Sequence, residues 1–386
     1  MKNIEKVGAL ALNAIFGYEP QISRTLIDNL GSAGAVFSMS GQELRDIFGP
    51  YSKHVGKITP DALDRAEKEL SWLESQGCEF LAMTEPGYPK PLLECPDPPV
   101  GIYVRSATPA AELFADKPYV SVVGTRDISQ YGSEWCRRIV GAMAQAPQKP
   151  TIVSGLAIGV DITAHLAALE CGLPTIAVIP TGITDVYPRR HEPAAARIVS
   201  TPGSALITDY PPGTTPQPVN FLRRNRIIAG LSQATVLVES KSKGGGTMTA
   251  RLAADYGRDV FALPGRIDDI RSAGCNLLIQ EKIAESISSL GGLPEAIGLG
   301  RWHRMRTTDL LEEVRERFEG RADGMLEGLL HVAAAVRKHR GISFEELSEM
   351  LEIPYPSVSV LAGLLESERF ISIDMLQRCA IVAKIS

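Results

Sequence analysis

The chain has 386 residues, which is more than one average domain, so two or three domains are expected. Apolar residues make up 44% and charged residues 22%, a balance typical of a protein that buries a sizeable core. The formal net charge of -5 excludes a global basic field, so any binding of nucleic acid must use a local cationic patch.

The six cysteines are scattered without C-x-x-C spacing, which disfavours a zinc or redox site and suits the cytosol. The apolar run near the N-terminus is short and lacks a small-residue cleavage pattern, so it is typical of a helix and not of a signal peptide. No segment approaches the ~20 apolar residues of a membrane span. We therefore predict a soluble, cytoplasmic protein without contact to a membrane.

Residues 1–82 show apolar residues at helical spacing and are predicted to form a small domain of the helix-hairpin-helix or sterile-alpha-motif (SAM) type. A DNA-contacting hairpin would show a Gly-x-Gly turn, and here only Gly17 is present. A spacer or docking unit is therefore preferred over a DNA-binding role. The proline-rich stretch 84–99 predicts an extended connector, and the following IYVRS predicts an edge strand.

Residues 83–290 alternate near-continuous apolar runs with segments of helical periodicity. This alternation predicts an α/β fold with a doubly wound, mostly parallel, Rossmann-like sheet that is covered on both faces. Ligands of such sheets lie beyond the carboxyl ends of the strands. The loops after the predicted strands should therefore converge on one crevice.

Residues 291–324 predict a linker or tether, and residues 325–386 predict a winged-helix-like domain, with helices, a proline turn and a terminal β-ribbon. The predicted recognition helix, Pro356 to Glu368, contains no lysine or arginine and carries two glutamates. Contacts with the DNA backbone supply most of the affinity for duplex DNA. This domain is therefore predicted to bind protein, or its own chain, and not a major groove.

The stretch from Asn220 to Ala250 carries the strongest functional signal. It combines an arginine cluster at a helix start, a buried strand, and a glycine-rich loop that opens onto another helix. Loop amides and a helix N-terminus attract anions, so both ends of the strand suit phosphate. This pattern fits a nucleotide and a polymer equally well. One of the clustered arginines should be structural, because three in one turn cannot share one direction.

Signatures of cofactors and catalysis are weak. The first strand lacks a G-x-G-x-x-G loop, and the triple glycine is not followed by the lysine of a Walker loop. His165 lies four residues after Asp161 and is expected to pack under a helix cap, while Asp209 and Glu239 stand at strand ends without an evident partner. We predict no cofactor, no metal and no enzymatic activity. Arginines beside Phe221 instead favour single-stranded nucleic acid, which is held by charge and stacking.

Several segments, in this order, resemble the DNA-processing protein A family, often called DprA or Smf. The similarity runs from about Tyr88 to Ile287 and is carried by Y-P, G-T-R, SGLAIGVDITAH, G-x-x-x-x-Y-P, NFLRRNRIIAGLS, GGGTMTA and VFALPG. Each element alone is weak, but the ordered set is highly specific. The resemblance implies a protein that binds and protects incoming single-stranded DNA in natural transformation and loads the RecA recombinase on it. It also implies a homodimer formed through the Rossmann-like domain.

The family's DNA-binding residues map onto G-T-R, Phe221 and the R-R-N-R cluster. The full set of predicted DNA-binding residues is Gly124, Thr125, Arg126, Ser154, Gly155, Phe221, Arg223, Arg224, Asn225, Arg226, Lys243, Gly244, Gly245, Gly246 and Thr247. Replacement of both Arg126 and Arg224 by glutamate is expected to abolish binding and to leave the fold intact. The chain departs from the family at Thr208-Asp209, usually S-E, at Lys243–Gly246, usually S-G-S or S-G-G, and at Glu281-Lys282, usually G-A.

Two alternatives to a single-stranded DNA-binding protein remain: an enzyme of nucleotide metabolism and a nucleotide-sensing adaptor. Phosphoribohydrolases of the lysine-decarboxylase-like type use a related sheet, but they need a glutamate one turn into the helix after the glycine loop. Residues 248–251 supply no carboxylate there, which argues for a binding protein. The third possibility is a nucleotide-sensing adaptor, in which the crevice holds a small signal and the C-terminal domain transmits it.

Overall fold

The computed structural model describes residues 4–114, 117–300, 310–319, 323–339, 341–368, 370–374 and 377–381. The chain divides into two compact units, Met1–Trp302 and His303–Ser386. The middle of the predicted linker, 301–309, lies outside the described residues. Within the described ranges, no helix combines the length and apolar character needed to cross a bilayer.

The first unit is an α/β structure that alternates helices and strands along most of its length. Its helices are α1 (Ile4–Phe16), α2 (Pro20–Leu30), α3 (Gly41–Phe48), α4 (Pro60–Ser75), α5 (Lys90–Leu93), α6 (Ala110–Leu113), α7 (Gln130–Ala144), α8 (Val160–Glu170), α9 (Glu192–Ser200), α10 (Pro218–Leu231), α11 (Gly245–Asp255), α12 (Ala273–Gln280) and α13 (Leu293–Ala296). Its strands are β1 (Glu79–Ala82), β2 (Gly101–Arg105), β3 (Tyr119–Val123), β4 (Thr151–Ser154), β5 (Thr175–Val178), β6 (Ala205–Thr208), β7 (Ala234–Leu237), β8 (Asp259–Ala262) and β9 (Glu285–Ser286).

These strands form one sheet in the order β1-β2-β6-β5-β4-β3-β7-β8-β9. Strands β3 to β9 pair in parallel, whereas β1 and β2 add antiparallel pairs at one edge. The predicted mostly parallel, Rossmann-like sheet is thus confirmed. From β3 the chain proceeds outward to β4, β5 and β6, and then returns to the other side of β3 as β7. The sheet therefore has its switch point between the carboxyl ends of β3 and β7.

Helices cover both faces of the sheet because its strands are apolar on both sides. All five residues of β3 are buried. Val120 and Val122 pack in a cluster with α7 and α8, whereas Val123 packs in a second cluster with α10, α11 and α12. Alternate side chains of a strand point to opposite faces, so this division follows directly from the strand geometry.

Residues 4–76, the N-terminal helical module, share a core with the edge of the sheet. Leu10 and Phe16 of α1 and Leu73 of α4 belong to one buried cluster with Phe80 of β1 and Tyr103 of β2. The rings of Phe80 and Tyr103 meet edge to face at 5.0 Å. The module is therefore part of the first unit and is not an appended domain.

Three predicted segments need correction. Residues 79–82, predicted as the end of the helical domain, form β1, and this strand lies at the edge that was assigned to IYVRS. As a result, β2 is an inner strand between β1 and β6. Part of the predicted linker is also packed, since Leu293, Ile297 and Leu299 are buried against the first unit.

The second unit has a winged-helix-like arrangement. Its elements are α14 (Leu310–Arg317), α15 (Asp323–Lys338), β10 (Ile342–Ser343), α16 (Phe344–Leu351), α17 (Tyr355–Ser367), β11 (Ile371–Ile373) and β12 (Arg378–Ile381). The strands form an antiparallel sheet in the order β10-β12-β11. Glu366 Oε1 accepts a hydrogen bond from the amide of Ile373, and Glu368 pairs with Arg317 at 2.7 Å. Both glutamates of the predicted recognition helix are thus bound within their own unit.

Candidate nucleic-acid interface

Three loops meet at the switch point of the sheet. They follow β3, β4 and β7, and the amide of Thr125 donates to the carbonyl of Glu239 at 2.6 Å. The amide of Val160, at the start of α8, donates to the carbonyl of Thr125 at 3.1 Å. We call this region, with the first half of α10, the carboxyl-edge site. The sequence-predicted convergence of these loops is present in the structure.

Two glycines allow the loops to approach so closely. A Cβ atom at Gly246 would lie 2.8 Å from Cα of Gly124, and one at Gly159 would lie 2.2 Å from the carbonyl oxygen of Thr125. Gly159 also has φ +86°, a conformation that other residues rarely adopt. The glycine-rich loop therefore has a shaping role, since it lets the N-terminus of α11 reach the G-T-R loop.

Arg126 and Phe221 form the most prominent pair of the carboxyl-edge site. The Arg126 guanidinium lies over the Phe221 ring, 4.6 Å from its centroid, and Arg126 is exposed. The Tyr187 ring also contacts Phe221, edge to face, with the two ring centroids 5.7 Å apart. A solvent-exposed cation on an aromatic face can hold a phosphate while leaving ring surface for a base.

The three arginines of α10 have three different environments. Arg223 is exposed, and its guanidinium lies 4.4 Å from the centroid of the Tyr18 ring. Arg226 has a side chain that is 11% exposed and pairs with the carboxylate of Asp209, and it also donates to the Asp97 carbonyl at 2.6 Å. Burial alone would lower the pKa of Arg226, but the charges of Asp209 and Asp97 outweigh it and raise that pKa. Arg226 therefore serves the fold.

Arg224 is only 3% exposed, and its Nε and Nη1 atoms have no hydrogen-bond partner among the residues that the structure describes. Burial lowers the pKa of Arg224 to about 10, against the favourable charge of Asp161. A Cβ atom at Gly155 would lie 1.6 Å from Nη1 of Arg224, so only glycine leaves room for this guanidinium. A buried cation with unpaired donors favours negative charge nearby, so Arg224 adds positive potential to the carboxyl-edge site.

The burial of Arg224 corrects one expectation. Glutamate at this position would place a second carboxylate beside buried Asp161, whose pKa is already raised by its own burial. Two buried like charges are strongly unfavourable, so the double replacement of Arg126 and Arg224 would not leave the fold intact. Arg126 is exposed, so its charge can be reversed without placing a carboxylate in the core.

Two predicted contact residues use their side chains internally. Ser154 is fully buried and its hydroxyl donates to the Val122 carbonyl at 2.6 Å. Thr247 is also buried, and its hydroxyl donates to the Lys241 carbonyl at 2.8 Å. These two side chains, like that of Arg226, therefore serve the fold. Lys243 and Gly245 are exposed, and Asn225 is half-buried.

The carboxylates that lacked an evident partner in the sequence have structural ones. Glu239 is buried and accepts from both the amide and the hydroxyl of Ser129, at 2.9 and 2.5 Å, which secures the start of α7. A Cβ atom at Gly132 would lie 2.3 Å from Oε2 of Glu239. Asp209 holds Arg226 and, through its carbonyl, the Asn13 side chain of the N-terminal helical module at 2.9 Å.

His165 is fully buried on α8, where its Nδ1 is 2.7 Å from the Thr175 hydroxyl. Burial, together with the charges of Arg224 and His191, lowers the pKa of His165 to about 3. The ring is therefore neutral in the folded protein at neutral pH. This matches the expectation that His165 packs beneath its helix cap.

The low pKa of His165 predicts a loss of stability in mild acid. The unfolded chain takes up a proton near pH 6.5 and the folded chain only near pH 3, so stability is full above pH 6.5 and declines as the pH falls. Lowering the pH from 7.5 to 5 should therefore decrease the free energy of unfolding by about 2 kcal/mol. Urea unfolding of the wild type and of His165→Gln at both pH values measures it. An equal loss in the variant would contradict the assignment.

Two aromatic residues of this region were missed as site residues from the sequence. Tyr187 stood in a recognised proline turn, but nothing in the sequence placed its ring against Phe221. Tyr18 stands in the loop Gly17–Glu19, 59% exposed, and its contact with Arg223 depends on how the N-terminal helical module docks. The only signal for Tyr18 in the sequence was the presence of an aromatic residue in a short loop.

The fold and the site define a Rossmann-like α/β protein with a cationic, aromatic-lined site at its switch point. The family model described as DNA recombination-mediator protein A matches residues 79–297. The chain belongs to this family. Protein Smf of Synechocystis sp. is 37% identical over 301 residues, which cover 76% of this chain and 75% of that protein.

A second relative matches over a shorter span, and two solved structures match over nearly their whole length. Protein Smf of Escherichia coli is 39% identical over 215 residues, covering 56% of each chain. The X-ray structure of DNA processing protein A from Streptococcus pneumoniae superposes with a TM-score of 0.63 at 30% identity, covering 76% of this chain and 98% of that one. The structure of DNA processing protein A from Helicobacter pylori, reported for its single-stranded DNA binding mode, superposes with a TM-score of 0.50 at 27% identity, covering 56% of this chain and 95% of that one.

Proposed function

We propose that this protein binds single-stranded DNA at the carboxyl-edge site and does so without catalysing a reaction. The observation that carries the proposal is the exposed Arg126 guanidinium stacked on Phe221, next to the buried, partly unpartnered Arg224. Exposed Lys243 and the glycine-loop amides add positive potential. The arginine charges can bind phosphates, and the Phe221 ring can stack on a base. This combination favours a single strand over a mononucleotide.

The finer role rests on the family. Because the chain belongs to a DNA-processing family, single-stranded DNA binding fits a role in natural transformation. In that role the protein would protect incoming DNA in the cytoplasm and load the RecA recombinase on it. A homodimer through the Rossmann-like unit belongs to the same proposal. RecA nucleation on DNA coated with single-strand-binding protein, followed with and without this protein, tests the loading step, and sedimentation equilibrium tests the dimer.

The central experiment compares single-stranded and duplex DNA in a salt titration. Affinity for the single strand should fall linearly with the logarithm of salt concentration, because bound phosphates release counterions. Duplex DNA should bind more weakly, since its bases are not free to stack. Equal affinity for both forms, or release of base from a panel of nucleoside monophosphates, would count against the proposal. Displacement of the oligonucleotide by a mononucleotide would favour the adaptor.

A further inference from the structure

The N-terminal helical module carries a second pair of the same kind as Arg126 and Phe221. Arg223 lies over the Tyr18 ring at 4.4 Å, compared with 4.6 Å for Arg126 over Phe221. In each pair the arginine is exposed. The two pairs repeat the same chemistry at neighbouring positions, and their partners come from different parts of the chain.

Both pairs are built on the beginning of α10. Phe221 and Arg223 are two residues apart, so their side chains leave the helix about 200° apart around its axis. The N-cap residue Gln217 makes no side-chain hydrogen bond to the helix, so the first amides of α10 lack a side-chain cap. A strand that crosses the start of this helix would meet one ring, then the positive helix end, and then the other ring.

The module is held to the sheet by contacts other than that of Tyr18. Buried Asn13 donates to the Asp209 carbonyl at 2.9 Å, and Arg24 donates to the Cys95 carbonyl at 2.8 Å. The Tyr18 ring is tilted against that of Tyr210, with centroids 6.2 Å apart, and borders a cavity of about 130 Å³. A ring that merely fastened two elements would be buried, whereas this one is more than half exposed.

We infer that Tyr18 is a second stacking platform for single-stranded DNA, with Arg223 as its phosphate contact. The inference rests on the proposed function and extends the carboxyl-edge site onto the N-terminal helical module. It also differs from the spacer role that the sequence favoured for this module. The ligand is a strand long enough to reach from Phe221 to Tyr18.

The test measures anisotropy of a labelled oligothymidylate with the full-length chain. Tyr18→Ala is expected to weaken binding about tenfold, the contribution of one stacked base, and Tyr18→Trp to restore it to within about twofold. The salt dependence should be unchanged in Tyr18→Ala, because stacking releases no counterions, and shallower in Arg223→Gln. Tyr51→Ala is the matched control, since Tyr51 is 99% exposed in the same module.

Crosslinking adds a direct readout. An oligonucleotide that contains 5-iododeoxyuridine should crosslink to the peptide that holds Tyr18. Unchanged affinity in Tyr18→Ala, with normal weakening in Arg126→Glu, would overturn the inference and leave the proposed function standing. A lower melting temperature without loss of affinity would show that Tyr18 only fastens the module. Failure of the wild type to bind any single strand would overturn both.

Discussion

Replacing Arg126 with glutamate is expected to lower the affinity for single-stranded DNA about 100-fold, which corresponds to about 2.7 kcal/mol. The change removes a charged phosphate contact, typically ~1.5–3 kcal/mol, and adds repulsion beside the Phe221 ring. Arg126 is exposed, and its guanidinium lies over the Phe221 ring. The melting temperature should therefore stay close to that of the wild type.

The control for this variant is Arg138→Glu. Arg138 is also exposed and lies over an aromatic ring, 4.4 Å from the centroid of Trp135, but it stands in the body of α7. Arg138→Glu changes the net charge of the protein by the same amount as Arg126→Glu, but at a position outside the carboxyl-edge site. Equal loss of affinity in both variants would show that net charge, and not the carboxyl-edge site, governs binding.

Replacing Arg226 with alanine is expected to lower the free energy of unfolding by about 3–5 kcal/mol, because it leaves the buried Asp209 carboxylate without its cation. The same change also leaves the Asp97 carbonyl without its donor. Arg223→Ala, at an exposed position of the same helix, should cost less than about 1 kcal/mol. Urea unfolding monitored by circular dichroism measures both.

A double-mutant cycle isolates the ion pair. Arg226→Ala and Asp209→Ala should each destabilise strongly, but together they should cost about 2–3 kcal/mol less than their sum. This shortfall is the energy that the two side chains share in the folded protein. Additive effects would mean that Arg226 stabilises the fold through packing of its stem and not through its charge.

The sheet was predictable because its central strands are continuous apolar runs that end in glycine-containing loops. Strand β3 shows this, since every residue of Tyr119–Val123 is buried. Strand β1 was missed because its short apolar run, Phe80–Ala82, comes soon after the apolar spacing of α4. A run of that length fits a helix end and a strand equally well. Its pairing with β2 depends on the tertiary fold.

The site was predictable as a region but not residue by residue. The order of loops on a doubly wound sheet brings Arg126 and the α10 cluster together. The sequence cannot separate Arg223, Arg224 and Arg226, because they are the same residue type within one stretch of helix. What separates them is the position of Asp209, of Gly155 and of Tyr18, each contributed by a different segment.

The shared core at the edge of the sheet limits how the N-terminal helical module can be studied. A shortened chain that starts at residue 83 would lose β1 and leave the backbone of β2 unpaired along a whole edge. Phe80 and the apolar side of α1 would go with it, uncovering Tyr103. Open strand edges with apolar neighbours recruit other chains, so such a fragment would tend to aggregate. Single-residue replacements at Tyr18 avoid that hazard.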